Sequence, residues 1–180
     1  MKDIQKNIRA IIEAMDDNPD REGLVDTPRR YEAFVKEFLS PEKFEPTVFT
    51  NEGYSEMVIQ RNITFYSMCE HHLLPFFGTA TIAYIPDKKI IGLSKLARTV
   101  DHFSRRLQNQ ERVTTQIADF LQNELSPKGV GVVLTARHLC MEMRGIKKPD
   151  ANTTTSCLYG LFQTNSSTRS EFLDLARTTL

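Results

Sequence analysis

The order of helix and strand patterns constrains the fold of this chain more than any other feature. Apolar residues recur every three or four positions in five segments, and β-branched and aromatic residues concentrate in four others. These patterns predict strands over 57–66, 79–85, 130–143 and 153–162, and helices over 3–15, 27–39, 94–125 (two helices) and 168–176. Because the strands come in adjacent pairs, they suit antiparallel hairpins better than a doubly wound parallel sheet. We therefore predict an α+β fold, with an N-terminal helical appendage over 1–50 and a main domain over 51–180.

The balance of charges excludes several classes of protein. Lys and Arg number 23 and Asp and Glu number 23, so a broad basic surface for nucleic acid is not expected. With 40% hydrophobic and 26% charged residues, the composition is that of a folded domain rather than a disordered chain. Residues 1–6 mix charges where a secretory signal is apolar, and no segment approaches the roughly 20 apolar residues of a membrane span. We expect a cytoplasmic protein that binds neither nucleic acid nor membrane.

Cysteine and histidine residues cluster in two short stretches. Residues 69–72 read Cys-Glu-His-His, and residues 138–140 read His-Leu-Cys. Zinc prefers thiolate and imidazole ligands, and a catalytic zinc site has three protein ligands with a fourth position open. Cys69, His72 and Cys140 would form such a set, because a Cys-x-x-His turn can direct both side chains to one ion. Two small buried cysteines and ordinary core histidines would give the same pattern, so spacing alone leaves both interpretations open.

Alternation along residues 137–144 predicts a strand with one polar face. Successive side chains of a strand point to opposite sides of the sheet. The core face would carry Leu139, Met141 and Met143. The polar face would carry His138, Cys140, Glu142 and Arg144.

A second candidate site lies at the start of the helix predicted from residue 94. Ser94, Lys95 and Arg98 stand where free backbone N–H groups and the helix dipole favour anions, and Arg144 could join them. A solvated helix start would show the same residues. The known nucleotide motifs are missing, because no Walker A pattern occurs and the glycines of 129–131 lack the third member of a dinucleotide fingerprint.

Five ordered motifs span nearly the whole chain. They are FYSMCEHHLLPF at 65–76, IGLSKLAR at 91–98, RLQNQER at 106–112, HLCMEMRG at 138–145 and TRSEFL at 168–173. Together they resemble the GTP cyclohydrolase I family, zinc enzymes that convert GTP to 7,8-dihydroneopterin triphosphate and formate. The resemblance implies a hydrolase with GTP as substrate and Zn²⁺ as cofactor. It also implies the T-fold, a ββααββ unit whose antiparallel sheets close into a barrel only on oligomerisation, in a homodecamer with active sites at subunit interfaces.

The resemblance further implies a role for each matching residue. The implied zinc ligands are Cys69, His72 and Cys140. The other implied catalytic residues are His71 and His138, which transfer protons, and Ser94, a polar group close to the substrate. The implied substrate contacts are Lys95, Arg98 and Arg144 for the triphosphate, and Gln110 and Glu111 for guanine. A carboxylate can accept two N–H bonds from the guanine edge, a paired contact that adenine does not offer.

Two residues depart from the family pattern, and two alternative functions stay open. Asn109 stands where the motif is usually apolar, and Cys157 matches no ligand, which favours strand packing for its side chain. One alternative is a structural zinc module in which His138 completes a closed four-ligand site. The other is a T-fold relative that acts on another purine or pterin. The phosphate-binding and base-binding residues that accompany the metal triad favour the GTP enzyme.

Overall fold

The computed structural model describes residues 3–41 and 45–177, which form two compact units, Met1–Pro41 and Glu42–Leu180. The first unit holds α1 (Ile4–Met15) and α2 (Thr27–Phe38), which pack against each other. The Asp3 carboxylate caps α1 by accepting a hydrogen bond from the Lys6 backbone N–H at 3.0 Å. The division after Pro41 precedes the boundary predicted at residue 50.

The larger unit contains seven strands and five helices within its described residues. The strands are β1 (Val48–Thr50), β2 (Val58–Cys69), β3 (Pro75–Ile85), β4 (Lys89–Ile91), β5 (Leu107–Gln108), β6 (Gly129–His138) and β7 (Thr153–Gly160). The helices are α3 (Leu93–Ser104), α4 (Gln110–Leu125), α5 (Leu139–Glu142), α6 (Leu161–Thr164) and α7 (Ser166–Arg177). The four longer strands include the predicted strand segments, apart from the ends of three of them. The α+β class is therefore confirmed.

Five of the strands form one sheet in the order β5-β2-β3-β6-β7. β2 pairs with β3 and β6 with β7, both antiparallel, as the adjacent pairs in the sequence predict, and β3 also pairs antiparallel with β6. β1 and β4 form a separate antiparallel pair, which places residues 48–50 in the larger unit.

A continuous apolar core lies between α3, α4 and one face of this sheet. The fully buried side chains of the two helices include Leu96, Val100, Val113, Ile117 and Leu121. They pack against alternate residues of the central strands, among them Phe65, Phe76, Ile82, Val132 and Leu134. Burial of this apolar area is the main driving force that holds the helices on the sheet.

A smaller cluster covers part of the opposite face, where Phe162 and Phe172 pack with Ala83 and Ile85. Gly131 lies beneath it. A Cβ atom at Gly131 would stand 2.9 Å from the Phe172 ring, which is too close for an unstrained contact. Gly131, one of the two glycines of the incomplete nucleotide fingerprint, therefore has a packing role.

The strand predicted beyond residue 138 is wrong. β6 ends at His138, which pairs with Phe76 near the start of β3, while the pairing of β6 with β7 already stops at Ala136. Without neighbouring strands, the following backbone groups bond within the chain, and the Met143 N–H donates to Leu139 O at 3.1 Å in the turn of α5. The predicted core face is lost as a result, and the Met143 side chain is 63% exposed.

β5 was not predicted, and it separates α3 from α4. It runs parallel to the end of β2, with Leu107 beside Met68 and Gln108 beside Cys69. The Asn109 side chain then caps α4 by accepting a hydrogen bond from the Arg112 N–H at 2.8 Å. The residue that departs from the family motif is thus a favourable N-cap, and β5 brings the start of α4 next to the turn after Cys69.

Among residues 3–41 and 45–177, no helix combines the length and the apolar character needed to cross a membrane.

Candidate active site

Three residues predicted as metal ligands come together at one end of the sheet. Cys69 is the last residue of β2, His72 lies in the following turn and Cys140 lies in α5. Their ligand atoms all lie within 4.8 Å of one another, and Cys69 Sγ is 3.9 Å from His72 Nδ1. Ligands bound to one tetrahedral zinc ion at about 2.0–2.3 Å lie roughly 3–4 Å apart, so small side-chain movements suffice for this set to share an ion. Two thiolates and one imidazole are also the donor types that zinc prefers.

The backbone of the turn explains why Cys69 and His72 face one another. The Leu73 N–H donates to Cys69 O and the Cys69 N–H donates to Leu74 O, both at 2.9 Å. Leu73 has a φ of +53°, in the left-handed region, which lets the chain reverse tightly before β3 begins. The Cys-x-x-His spacing is therefore closed by hydrogen bonds that do not depend on a metal.

The two cysteines of this group are free thiols. Burial raises the pKa of the Cys140 thiol, and the neighbouring Cys69 raises it further, while Arg144 partly opposes both effects. Two adjacent thiols resist ionisation because their thiolates would repel each other. A divalent cation removes that repulsion, so metal binding to this pair releases protons.

His71 lies beside the metal group but outside the set of three. Its Nδ1 is 3.8 Å from Cys69 Sγ, and its ring is 6.3 Å from the His72 ring at an interplanar angle of 78°. The side chain is 66% exposed. The planes of the two adjacent histidine rings are therefore nearly perpendicular.

Arg144 also adjoins the group. Its guanidinium donates a hydrogen bond to His72 Nε2 at 2.7 Å, which places a permanent positive charge next to a predicted metal ligand. This hydrogen bond joins a residue predicted to contact the triphosphate to the metal group.

Ser94, Lys95 and Arg98 lie on the first turns of α3. Ser94 and Arg98 are exposed and Lys95 is half-buried. Gly92 occupies the N-cap and offers no side-chain acceptor to the first turn of α3, although the Lys95 N–H donates to Gly92 O at 2.8 Å. The contacts that join Arg144 to the metal group do not include these three residues, and their role in phosphate binding stays a prediction.

The His138 side chain, at the end of β6, contacts Phe76 and Gln110. Its ring stacks on Phe76 with 4.7 Å between centroids and 2° between planes, and its Nε2 lies 2.7 Å from Gln110 Oε1. Burial lowers the pKa of His138, and the nearby carboxylates of Glu111 and Glu142 partly offset this.

Gln110 and Glu111, both predicted to contact guanine, lie in different environments. Gln110 is only 2% exposed, and its amide bonds to groups within the chain. Glu111 is exposed on the first turn of α4. The Glu111 carboxylate is therefore accessible to a ligand in this chain, whereas the Gln110 amide is already fully bonded.

An ion pair that was not predicted from the sequence joins the turn after Cys69 to α4. Arg112 donates two hydrogen bonds to Glu70, one to each carboxylate oxygen, at 2.7 and 3.0 Å. Asn109 Nδ2 adds a longer bond to Glu70 Oε1 at 3.5 Å. The bond from Arg112 lowers the pKa of the Glu70 carboxyl. The sequence shows only that two of the motifs carry opposite charges, Glu70 in one and Arg112 in the other. The pairing of β5 with β2 is what brings these two residues together.

Comparisons with known proteins bear on the whole chain. The family model described as GTP cyclohydrolase I matches residues 4–177. The chain belongs to the GTP cyclohydrolase I family. A relative named GTP cyclohydrolase 1 from Aquifex aeolicus (strain VF5) is 54% identical over 97% of this chain and 95% of its own length. Relatives with that name from Sulfurihydrogenibium sp. (strain YO3AOP1) and Campylobacter jejuni (strain RM1221) are 53% and 49% identical, over 96% and 97% of this chain and 92% and 94% of their own lengths.

A solved structure, the archaeosine synthase QueF-Like in the apo form, matches 61% of this chain and 97% of its own length, with 14% identity and a TM-score of 0.46. A likeness at this level does not bear on activity. GTP cyclohydrolase 1 is an enzyme name, and membership in the family makes this chain an enzyme. The predicted family and the predicted enzymatic character are thus confirmed.

The ion pair between Glu70 and Arg112 should slow the loss of zinc from the predicted metal site. Arg112→Met removes this contact between the turn after Cys69 and α4, so we expect zinc to transfer to a chelator about two- to fivefold faster, a small effect typical of a partly exposed ion pair. Arg29→Met is the matched control, because Arg29 makes a similar paired contact with Asp26 in α2. Equal rates of zinc transfer to the chelator from wild type and Arg112→Met would contradict a role of this ion pair in retaining zinc.

Proposed function

We propose that this enzyme hydrolyses and rearranges GTP to 7,8-dihydroneopterin triphosphate and formate. One observation carries the proposal: a group of two cysteines and one histidine lies beside a further histidine, in a chain whose relatives are named GTP cyclohydrolase 1. The reaction requires hydrolysis at purine C8 and then proton transfers during ring opening and ring closure. The arrangement contains groups suited to each of these tasks.

The metal-binding part of the proposal rests on the donor set. Cys69, His72 and Cys140 would hold Zn²⁺, and their mutual distances fit one ion. Bound zinc supplies a water of lowered pKa, which makes a nucleophile available near neutral pH. His71 protonates the purine at N7 and so increases the electrophilicity of C8. His138 transfers protons during the later hydrolysis that releases formate.

Substrate binding in this proposal uses charged residues around the same end of the sheet and on α3. The exposed carboxylate of Glu111 accepts hydrogen bonds from the guanine N–H groups. The cationic groups of Lys95, Arg98 and Arg144 bind the triphosphate, and Ser94 places a polar group close to the substrate. Selectivity for guanine then depends on a carboxylate acceptor that adenine cannot satisfy.

We further propose that the larger unit forms the catalytic T-fold and that α1 and α2 form its helical appendage, in a cytoplasmic homodecamer with active sites at subunit interfaces. β7 lies at one edge of the five-stranded sheet. An edge strand presents unpaired backbone groups that can pair with a strand of another copy, which supports closure of a barrel by oligomerisation.

The structural zinc module is less well supported. It requires His138 as a fourth ligand, but the group of three that could hold a metal does not include His138. A site with three protein ligands leaves a position open for water, as a catalytic site requires.

The proposed function is tested with zinc-loaded protein and GTP. We expect release of formate together with a product that shows pterin fluorescence, and neither signal with ATP in place of GTP. Formate without a pterin signal would indicate hydrolysis without rearrangement. Release of neither product from GTP, by protein that retains zinc, would refute the proposal and favour another purine or pterin substrate.

Glu111→Gln should selectively weaken GTP binding. The substitution removes the charge that accepts the guanine N–H bonds and leaves a donor facing a donor, a loss of about 1–3 kcal/mol or roughly 5- to 150-fold in affinity. Zinc content should not change. Glu124→Gln, near the other end of α4, is the matched control. Equilibrium binding of GTP to the zinc-loaded proteins measures the effect, and unchanged affinity in Glu111→Gln would rule out the base-reading role.

A further inference from the structure

The side chain of Gln110 is almost fully buried, and its amide bonds to groups within the chain. The two hydrogens on its Nε2 are shared among three acceptors, Leu134 O at 3.1 Å, Thr153 O at 3.0 Å and Thr155 Oγ1 at 3.1 Å. Its Oε1 lies 2.7 Å from His138 Nε2. The amide therefore lies between β6, β7 and a predicted proton-transfer residue, and both of its polar atoms bond within the chain.

The orientation of this amide follows from its partners. Leu134 O and Thr153 O are backbone carbonyls, which only accept hydrogen bonds, so the amide NH₂ group must face them. The opposite orientation would place the amide oxygen against two other oxygens in a buried site, at the cost of unsatisfied polar groups. Gln110 Oε1 therefore faces His138.

A pair of threonines supports the same orientation. Thr114 donates its single hydroxyl proton to Gln110 O at 2.8 Å, since a carbonyl cannot donate. In the 2.7 Å contact between Thr114 Oγ1 and Thr155 Oγ1, Thr155 must then be the donor. Thr155 Oγ1 is left to accept from Gln110 Nε2, which agrees with the direction set by the two carbonyls.

The direction of this network determines the protonation of the histidine. Because Gln110 Oε1 can only accept, the 2.7 Å contact requires a proton on His138 Nε2. In a neutral imidazole only one nitrogen carries a proton, so Nδ1 keeps the lone pair. The parallel Phe76 ring also restricts rotation of the imidazole by covering one of its faces.

We propose that Gln110 is a positioning residue that holds His138 in the tautomer protonated at Nε2, and that it does not read the guanine ring. The role in catalysis rests on the proposed function, in which His138 transfers protons. Nδ1 is then the nitrogen through which His138 exchanges protons during the reaction. Glu111 alone of the two adjacent residues contacts the base.

The tautomer can be measured directly on the zinc-loaded protein. The chain has four histidines, so ¹⁵N-histidine labelling and solid-state NMR give a small set of signals, and the His138 signals are those missing from His138→Gln. We expect a protonated, pyrrole-type shift for Nε2 and an unprotonated, pyridine-type shift for Nδ1. The reverse pattern in wild-type protein would overturn the proposal without any substitution at Gln110.

Gln110→Met tests the cause. The variant keeps the approximate length of the side chain but removes the acceptor, so signals of the Nδ1-protonated tautomer should appear. Gln108→Met is the matched control, because Gln108 is also a 2% exposed glutamine but bonds to Phe103 O and Gln116 rather than to His138. Its His138 signals should match wild type. A wild-type tautomer pattern in Gln110→Met would overturn the proposal.

Kinetics separate the two roles of Gln110. A positioning role predicts that Gln110→Met lowers kcat by about 10- to 100-fold with little change in KM, because His138 loses the hydrogen-bond acceptor that orients it. A base-reading role predicts a raised KM and an unchanged tautomer, which would refute the proposal. Absence of formate release by wild type, with the expected tautomer present, would refute the proposed function but leave the tautomer assignment intact.

Discussion

Cys140→Ala should remove zinc from the enzyme and abolish turnover of GTP. Only Cys69 and His72 would remain to hold the ion, and two ligands in an open site bind zinc weakly. The loss should exceed the roughly 10- to 100-fold effects that outer-shell substitutions produce. Zinc per chain, measured by elemental analysis after dialysis, and formate release together test this expectation.

The fold should survive the loss of this ligand. Cys140 is half-buried in α5, at the periphery of the core, and the turn after Cys69 is closed by its own hydrogen bonds. Cys157→Ala is the matched control, because Cys157 is also a free, half-buried thiol next to the core but lies outside the metal group. It should retain zinc and activity. Stoichiometric zinc and near-normal turnover in Cys140→Ala would mean that Cys140 only packs, and that the metal site is wrong.

Local patterns predicted the long elements of the fold, and pairing determined the rest. The helical period and the adjacent strand pairs predicted the antiparallel pairing of β2 with β3 and of β6 with β7, but not that of β3 with β6. β5 has two residues and β1 and β4 have three each, too few for a periodicity to appear. The end of β6 at His138 was not predictable from alternation, because it depends on where its neighbours β3 and β7 stop pairing.

The candidate site also combines residues that local sequence predicts with contacts that only the fold determines. Cys69, His72 and Cys140 were identified from residue type and spacing, since zinc restricts its ligands to few side chains. Gln110 was assigned to guanine by resemblance because its sequence neighbours do not reveal its partners, which lie 24 to 45 positions away. The contact between Glu70 and Arg112 spans 42 positions and was missed for the same reason.

His71→Ala should leave zinc and GTP bound but slow the reaction by about 10²-fold or more, the usual scale for the loss of a positioned acid or base. The structure provides the physical reason for separating this residue from its neighbour. His72 belongs to the group of three whose ligand atoms lie within 4.8 Å, whereas His71 is not part of that group and its side chain is 66% exposed. Single-turnover formate release measures the chemical step, and equilibrium binding measures GTP affinity.

His72→Ala is the matched variant, because it makes the identical change one position along the same turn. We expect it to lose zinc and, with it, activity, while the His71→Ala protein keeps one zinc per chain. A split of this kind would separate a ligand from a proton-transfer group without relying on activity alone, since both variants are slow. Loss of zinc in His71→Ala, with zinc retained in His72→Ala, would reverse the two assignments. Protonation of the purine N7 would then have to come from His72.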